Sequence, residues 1–354
     1  MSRADRVAAR LAERELDLLL VTDTVNLRYL TGFTGTNGMA IVGAQERRFL
    51  TDFRYVERAK AELDGFELQR APQELRTALA EGWPPGSLRL GFEDQHVSVR
   101  LHADLRRTLP DRIELIPAGG LVEAERAVKE PREIAAIRGA AAVADEIYEW
   151  LAEQGLTGRT EREVALALEQ EMRARGAAPC FPSIVAAAEN GALPHALPRD
   201  VPIPPHTLVT LDLGARLDGY CSDCTRTWAT GELADELAQL YDTVLAAQEA
   251  ALAAVRPGRE AREVDAVARD LIAAAGHGEH FGHGLGHGVG MDVHEAPRLA
   301  RTSSARLEAG NVVTVEPGIY VAGRGGARIE DLVVVTESGH EVLSGTSKAH
   351  RVVA

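Results

Sequence analysis

The chain has 354 residues, of which 45% are hydrophobic and 26% are charged, and its formal net charge at pH 7 is −14. This length predicts about two domains with separate cores, and the composition is that of an ordinary globular protein. The acidic balance argues against a nucleic-acid partner, and no apolar run is long enough to span a membrane. The charged N-terminus without an apolar stretch and the low count of three cysteines predict a cytoplasmic protein without a disulfide framework.

The first third of the chain predicts an α/β domain. An amphipathic helix in ADRVAARLAERE precedes a strand in LDLLLVT, and a glycine-rich loop in NLRYLTGFTGTNG precedes a strand in MAIVG. Further strands are predicted at RRFLTD, FELQR and LRLGFE. The character changes near residue 122, where AERAVKEPREIAAIRGAAAVADEIYEWLAEQG predicts one long helix with an interruption at Pro131. We therefore place the two domains at residues 1–122 and 123–354.

The second domain is predicted to begin with helices and to continue with paired strands. Strands are expected in TLVTLDLGA and YCSDCTRTWAT, followed by a helix from about Leu233 to Val255 and a second helix in REVDAVARDLIAAAG. The stretch FGHGLGHGVGMDVHEAPR comes next, and the strands NVVTVEPGIYV and ARIEDLVVVT come last.

Two acidic pairs are predicted to face each other across β-hairpins. The midpoint of positions 212 and 223 is 217.5, in the turn GARLDG, so an unbulged hairpin places Asp212 directly opposite Asp223. The midpoint of positions 316 and 330 is Gly323, in the turn AGRGGA, which places Glu316 opposite Glu330. One such pair is compatible with chance, but two pairs of buried acids require cations, and paired metal ions are one solution.

The stretch FGHGLGHGVGMDVHEAPR is compatible by itself with a metal site, a phosphate loop or a flexible loop. It contains neither HExxH nor GxxxxGK, and VGMDVHE has the pattern of a strand, so His283 and His287 are not expected to be a helical pair. The two carboxylate hairpins favour the metal site, with His287 as its nitrogen ligand. Four oxygen ligands and one nitrogen favour Mn²⁺, Co²⁺ or Fe²⁺, with Zn²⁺ as an alternative.

The motifs LVTLDLG, YCSDCTRT, HGLGHGVGMDVHEAP, VEPGIY and RIED resemble those of the pita-bread metallopeptidases, the family of methionine aminopeptidases, aminopeptidase P and prolidase. The resemblance covers residues 125 to 350. NLRYLTGFTG and VKEPREIAAIR resemble the creatinase-type N-terminal domain of Xaa-Pro peptidases. The fold class implied is α/β (α+β), with a creatinase-type domain before a pita-bread catalytic domain.

The resemblance implies a dinuclear hydrolase with two divalent ions per subunit, manganese first and cobalt, zinc or iron as alternatives. The ligands that it implies are Asp212, Asp223, His287, Glu316 and Glu330. In the implied mechanism a hydroxide bridging the metals attacks the peptide carbonyl, and Glu316 accepts and shuttles the proton. His294 then hydrogen-bonds the substrate or stabilises the tetrahedral intermediate.

The resemblance also implies a substrate pocket. His283 and His195 match positions that line this pocket and hold the proline side of the substrate. Arg328 is expected to orient the carboxylates or to bind substrate, and Tyr320 in VEPGIY is assigned to substrate binding. A homodimer is implied as well.

The expected substrates are proline-containing dipeptides or oligopeptides. About 120 residues precede the catalytic region, which is unlike methionine aminopeptidase. Arg298 in HEAPR matches an arginine that binds the dipeptide carboxylate in short prolidases, whereas GFTGTNG resembles a loop of aminopeptidase P. We favour an Xaa-Pro dipeptidase, with aminopeptidase P as the alternative. A creatinase-like binding module without enzymatic activity is the third hypothesis, and a lost metal ligand would be its signature.

Cys221 and Cys224 form a CxxC pattern around Asp223. No second CxxC follows, and alternation along a strand would direct the two thiols to opposite faces. We therefore expect neither a zinc knuckle nor a redox pair from these cysteines.

Overall fold

The chain forms two compact units, Met1–Arg126 and Ala127–Ala354. The structure is a computed structural model that describes all residues, 1–354. The division predicted at 122/123 falls inside helix α5 (Leu121–Ala127), and the units separate at the end of that helix. None of the helices combines the length and the apolar composition needed to cross a membrane.

The N-terminal unit contains one six-stranded sheet in the order β4-β3-β2-β1-β5-β6. Its strands are β1 (Leu18–Val21), β2 (Gly38–Gly43), β3 (Arg47–Thr51), β4 (Glu67–Arg70), β5 (Leu88–Phe92) and β6 (Ile113–Pro117). Its helices besides α5 are α1 (Arg3–Leu11), α2 (Thr24–Thr31), α3 (Val56–Glu62) and α4 (Val99–Thr108). The five strands predicted here are present, whereas β6 was not predicted.

The segment predicted as a glycine-rich loop begins as helix α2. The Asp23 side chain caps it by accepting a hydrogen bond from the amide of Asn26 at 2.9 Å, and Gly32 ends it with φ 80°. Only the residues after Gly32 form the predicted loop. The local apolar pattern was too short to reveal this two-turn helix, but both of its caps are visible in the sequence.

The C-terminal unit contains four helices and thirteen strands. The helices are α6 (Pro131–Gln154), α7 (Glu161–Ala174), α8 (Asp235–Ala254) and α9 (Ala261–Ala274). The strands up to the histidine-rich stretch are β7 (Ala178–Pro179), β8 (Ile184–Ala187), β9 (Leu208–Leu213), β10 (Ala215–Leu217), β11 (Tyr220–Cys221) and β12 (Cys224–Ala229). The remaining strands are β13 (Gly286–Gly288), β14 (Glu295–Leu299), β15 (Val312–Val315), β16 (Gly318–Val321), β17 (Gly325–Arg328), β18 (Asp331–Val335) and β19 (His340–Val342).

The predicted interruption of the helical stretch is present, but it lies at residues 128–130, and Pro131 is the first residue of the second helix. Helix α5 ends at Ala127, and α6 begins at Pro131 after a capping box between Glu130 and Glu133. Proline is favoured at this first position because its missing N–H is not needed there.

Alternation along the strands directs the acidic residues away from the helices. In β9, Val209, Leu211 and Leu213 pack into the core formed with α6 and α7, so Asp212 lies on the other face. Val313 and Val315 of β15 and Val333 of β18 likewise join the core formed with α8 and α9. Glu316 and Glu330, which alternate with these valines, therefore lie on the face opposite to that core.

Candidate metal centre

The hairpin that carries Asp212 and Asp223 has a register two residues away from the predicted one. Asp212 pairs with Thr225, and Leu217 pairs with Tyr220. The turn between them is Asp218–Gly219, with φ 51° and 90°, and a two-residue type I′ turn requires positive φ at both positions. The prediction of directly opposed aspartates is therefore wrong. Because the shift is an even number, both side chains still share one face and are diagonal neighbours.

The hairpin that carries Glu316 and Glu330 has the predicted register. Val315 pairs with Asp331 on one side of the two glutamates, and Gly318 pairs with Arg328 on the other side. Between these two pairs the strands do not pair with each other. There the amide of Glu316 donates to the carbonyl of Leu285 at 2.8 Å, and the amide of Glu330 donates to the carbonyl of Thr225 at 3.1 Å. These bonds join the hairpin to the histidine-rich stretch and to the first hairpin.

His287 lies on strand β13 and turns its Nε2 toward the acids. Its Nδ1 is 3.0 Å from the carbonyl oxygen of Gly288, and its Nε2 lies 3.2 Å from Glu316 Oε1 and 3.6 Å from Asp223 Oδ2. Gly286 is needed here because a Cβ atom would overlap the carbonyl oxygen of Thr314. The predicted strand VGMDVHE is wrong in part, since residues 290–294 bend and β14 begins only at residue 295.

The cluster has the properties of a cation site. Ligand atoms of Asp223, His287 and Glu330 all lie within 4.8 Å of one another. Asp212 Oδ1 and Glu330 Oε1 are buried and have no hydrogen-bond partner. Burial, followed by the charges of neighbouring carboxylates, raises the pKa of both Asp223 and Glu330 well above the usual range. Buried, unpaired carboxylate oxygens that repel each other fit divalent cations, so the residues present suit the metals that the sequence implied.

Glu316 stays ionised although it is buried. The hydrogen bond and the charge of His287 outweigh the effect of burial and lower the pKa of Glu316 to about 2. The same contact raises the pKa of His287, against the effect of burial on that imidazole. At neutral pH the cluster therefore contains at least one carboxylate that is able to accept a proton.

The metal-free protein is expected to lose stability as the pH rises from about 5 to about 8. Folding raises the pKa of Asp223 and of Glu330 above the ordinary values of 3.8 and 4.5, so the folded state binds more protons than the unfolded chain above those values. The raised pKa of His287 acts in the same direction above 6.5. Thermal unfolding in EDTA at several pH values measures this slope, and saturating Mn²⁺ should remove it; a flat profile in EDTA would contradict the prediction.

Arg328 lies beside the cluster of predicted ligands and is buried. Its side chain is 4% exposed, and it donates to Asp212 Oδ2 at 2.8 Å, to the Thr225 hydroxyl at 3.1 Å and to the Tyr320 hydroxyl at 2.9 Å. Because the guanidinium is buried and its N–H groups already donate to these acceptors, the geometry favours the orienting role of Arg328 over the alternative of substrate binding.

The predicted substrate residues differ in exposure. Tyr320 is 9% exposed, and its hydroxyl lies 2.9 Å from His283 Nε2, which links His283 to Arg328. His294 is exposed on one side, and its ring centroid lies 4.3 Å from that of His287. His195 is exposed and follows Pro194, whose carbonyl accepts a hydrogen bond from Arg328 at 3.0 Å.

Arg298 is exposed on β14 and forms no hydrogen bond or ion pair within the chain. Burial, followed by the charge of His287, lowers the pKa of His294, and the charge of Arg298 makes a smaller contribution in the same direction. Arg298 therefore carries a guanidinium that is available to a ligand beside this histidine.

Two threonines that the sequence analysis missed support the ligands. The Thr225 hydroxyl donates to Glu330 Oε2 at 2.7 Å, and the Thr314 hydroxyl donates to Glu316 Oε1 at 3.1 Å while accepting from the amide of His287. Each lies two residues from a predicted ligand along the chain, Thr225 from Asp223 and Thr314 from Glu316, and therefore on the same face of the strand. This alternation was the signal that could have identified them.

A disulfide joins Cys180 to Cys221, with Cα atoms 5.8 Å apart, and Cys224 is free and buried. No disulfide framework was expected, and the structure has this single bond; Cys221 and Cys224 of the CxxC pattern do not pair with each other. The partner of Cys221 is 41 residues away in sequence, and the small sheet β11-β10-β7 brings the two cysteines together.

Comparisons with known proteins show the family of the chain. Residues 135–337, more than half of the chain, match Metallopeptidase family M24, and residues 3–128 match the Creatinase/Prolidase N-terminal domain. The chain belongs to metallopeptidase family M24. The peptidase YqhT of Bacillus subtilis (strain 168) is 42% identical to it over 335 residues, which cover 94% of this chain and 95% of the relative.

Solved structures resemble the peptidase over its whole length. An Xaa-Pro dipeptidase from Bacillus anthracis has a TM-score of 0.94 and 38% identity, and the likeness covers 99% of each chain. An X-Pro aminopeptidase from Thermotoga maritima MSB8 has a TM-score of 0.89 and 32% identity, over 99% of this chain and 100% of that one. The predicted fold, a creatinase-type domain before a pita-bread domain, is confirmed. The binding-module hypothesis required a lost ligand, and none is lost.

Proposed function

We propose that the peptidase hydrolyses Xaa-Pro dipeptides with two divalent metal ions per subunit. The residues that would hold the ions are Asp212, Asp223, His287, Glu316 and Glu330. The observation that carries this proposal is the pair of buried, unpartnered oxygens, Asp212 Oδ1 and Glu330 Oε1, beside the cluster of Asp223, His287 and Glu330. Bound divalent ions activate water and polarise a carbonyl group, and Mn²⁺ is the first candidate for this oxygen-rich ligand set.

The residues of the chain provide the proton transfers and the orientation of the substrate. Glu316, ionised because of His287, accepts the proton of the attacking water and delivers it to the leaving proline nitrogen. His294 lies against His287 and donates a hydrogen bond to the substrate carbonyl as it becomes tetrahedral. His283, held by Tyr320, and His195 line the proline side of the pocket.

Arg298 supports the dipeptidase over the aminopeptidase. A dipeptide ends in a carboxylate directly after its proline, and a guanidinium without an ion pair is a suitable partner for that charge. Aminopeptidase P remains the second candidate because the likeness to the Thermotoga maritima X-Pro aminopeptidase covers the whole chain. A homodimer and a cytoplasmic location belong to the same proposal, and light scattering tests the dimer.

The experiment compares Ala-Pro with Ala-Pro-Ala in Mn²⁺, Co²⁺ and Zn²⁺. We expect hydrolysis of Ala-Pro, and in Arg298→Ala we expect the KM for Ala-Pro to rise about 10- to 100-fold because a charge-assisted bond is lost. Arg301→Ala, which removes an exposed arginine three residues further on, is the matched control and should behave like the unmodified peptidase. Cleavage of the tripeptide alone would exclude the dipeptidase, and an unchanged KM in Arg298→Ala would exclude this role of Arg298.

A further inference from the structure

A buried ion pair lies directly behind the residues that face the substrate. Lys129 Nζ is 3.0 Å from Glu295 Oε2, and the two side chains are only 1% and 6% exposed. The backbone of Lys129 is also held in place, because its amide donates a hydrogen bond to the carbonyl of Gly310 at 2.8 Å. Ion pairs this deeply buried are costly to form and strongly destabilising to break from one side, so this pair constrains whatever is attached to it.

The Glu295 carboxylate organises the bend at residues 290–294. Its Oε1 accepts a hydrogen bond from the amide of Asp292 at 3.1 Å, while Oε2 binds Lys129. The amide of Gly290 donates to the carbonyl of Asp292 at 3.0 Å. A Cβ atom at Gly290 would lie within 2.6 Å of both carboxylate oxygens, so the bend is folded closely around Glu295.

The same bend contacts the metal cluster at two points. His294 immediately precedes Glu295, and its ring lies 4.3 Å from that of His287. On the other side of the bend, the carbonyl of Gly290 accepts from the amide of Cys221 at 2.7 Å, two residues before Asp223. A displacement of the bend therefore moves His294 directly, because His294 is part of it. Asp223 is affected only indirectly, through the hydrogen bond between Cys221 and Gly290.

We propose that Lys129 is a positioning residue for peptide hydrolysis, acting through Glu295 on His294. Lys129 compensates the buried charge of Glu295, Glu295 holds the bend closed, and the closed bend holds the imidazole of His294 against His287. This inference rests on the proposed function for the role of His294, but the ion pair and its effect on the bend are independent of the substrate. The ammonium group of Lys129 contacts Glu295 and the carbonyl of Ala127 and none of the predicted metal ligands.

The test uses Lys129→Met, Glu295→Gln and the double variant in the full-length chain. Each single variant removes the Lys129–Glu295 ion pair and leaves the other charge buried, so we expect kcat for Ala-Pro to fall about 10- to 100-fold while KM changes little. The double variant removes both charges, and its glutamine keeps an oxygen that can accept from the amide of Asp292. Its kcat is expected to be at least about tenfold higher than the kcat of Lys129→Met. Arg132→Met removes an exposed arginine in the first turn of helix α6 and should have no effect.

A second readout separates positioning from general destabilisation and needs no substrate. Hydrogen exchange at the amides of Gly290 and Asp292 should be faster in the single variants and recover in the double variant, while Mn²⁺ binding by calorimetry stays within about threefold. Unchanged kcat and exchange in Lys129→Met, or a double variant no better than either single one, would overturn the inference. If the unmodified peptidase does not cleave Ala-Pro, the proposed function fails, whereas exchange still decides whether the ion pair holds the bend.

Discussion

Asp223→Asn is expected to abolish peptide hydrolysis and to make the metal-free protein more stable. Asp223 is buried beside three other carboxylates, and burial followed by the charges of Glu330, Asp212 and Glu316 raises its pKa. A neutral amide of the same shape removes that repulsion, so the free energy of unfolding should rise by about 1 to 2 kcal/mol without metal. The same change removes an anionic ligand, and Mn²⁺ affinity should fall at least about 100-fold.

Thermal unfolding in EDTA and calorimetry with Mn²⁺ measure the two effects separately. Asp218→Asn is the matched control, because it makes the same substitution in the same hairpin at a turn position with positive φ that asparagine tolerates. It should change neither the unfolding temperature nor the activity. Hydrolysis of Ala-Pro by Asp223→Asn at the unmodified rate would refute the metal site, and a lower unfolding temperature in EDTA would refute the role of like-charge repulsion.

Glu316→Gln is expected to lower kcat by about 10²- to 10⁴-fold even when Mn²⁺ is saturating. The contact with His287 keeps Glu316 ionised, with a pKa of about 2 in the metal-free protein, so its carboxylate is available to accept a proton. Glutamine retains the shape and one ligand oxygen but cannot accept a proton at neutral pH. Metal binding should therefore weaken less than in Asp223→Asn, while the loss of turnover persists at saturation.

Titration of activity against Mn²⁺ concentration distinguishes the two roles of Glu316. If added Mn²⁺ restores full turnover to Glu316→Gln, the residue serves only as a ligand and the proton transfer lies elsewhere. Glu337→Gln, at an exposed glutamate beyond β18, provides the control and should match the unmodified peptidase throughout.

The spacing of the acidic residues along the chain was sufficient to predict the register of one hairpin and not of the other. The hairpin of Glu316 and Glu330 turns symmetrically about Gly323, so its register could be calculated from the positions of the acids. The same calculation missed the first hairpin by two residues, because the Asp218–Gly219 turn, and not the midpoint of the two aspartates, sets that register. Turn chemistry was the stronger signal, and the DG dipeptide was visible in the sequence.

The sequence alone therefore identified the family, the order of two domains and five candidate metal ligands, since these depend on residue types at short, repeated spacings. The resemblance also implied an orienting role for Arg328, but the sequence did not show which residue Arg328 contacts or that Lys129 pairs with Glu295. Arg328 reaches Asp212 across 116 positions, and Lys129 reaches Glu295 across 166. Such pairs leave no periodic pattern in the chain, because their partners become neighbours only when separate strands and helices pack together. The fold thus determined which buried carboxylate oxygens have protein partners and which, Asp212 Oδ1 and Glu330 Oε1, have none.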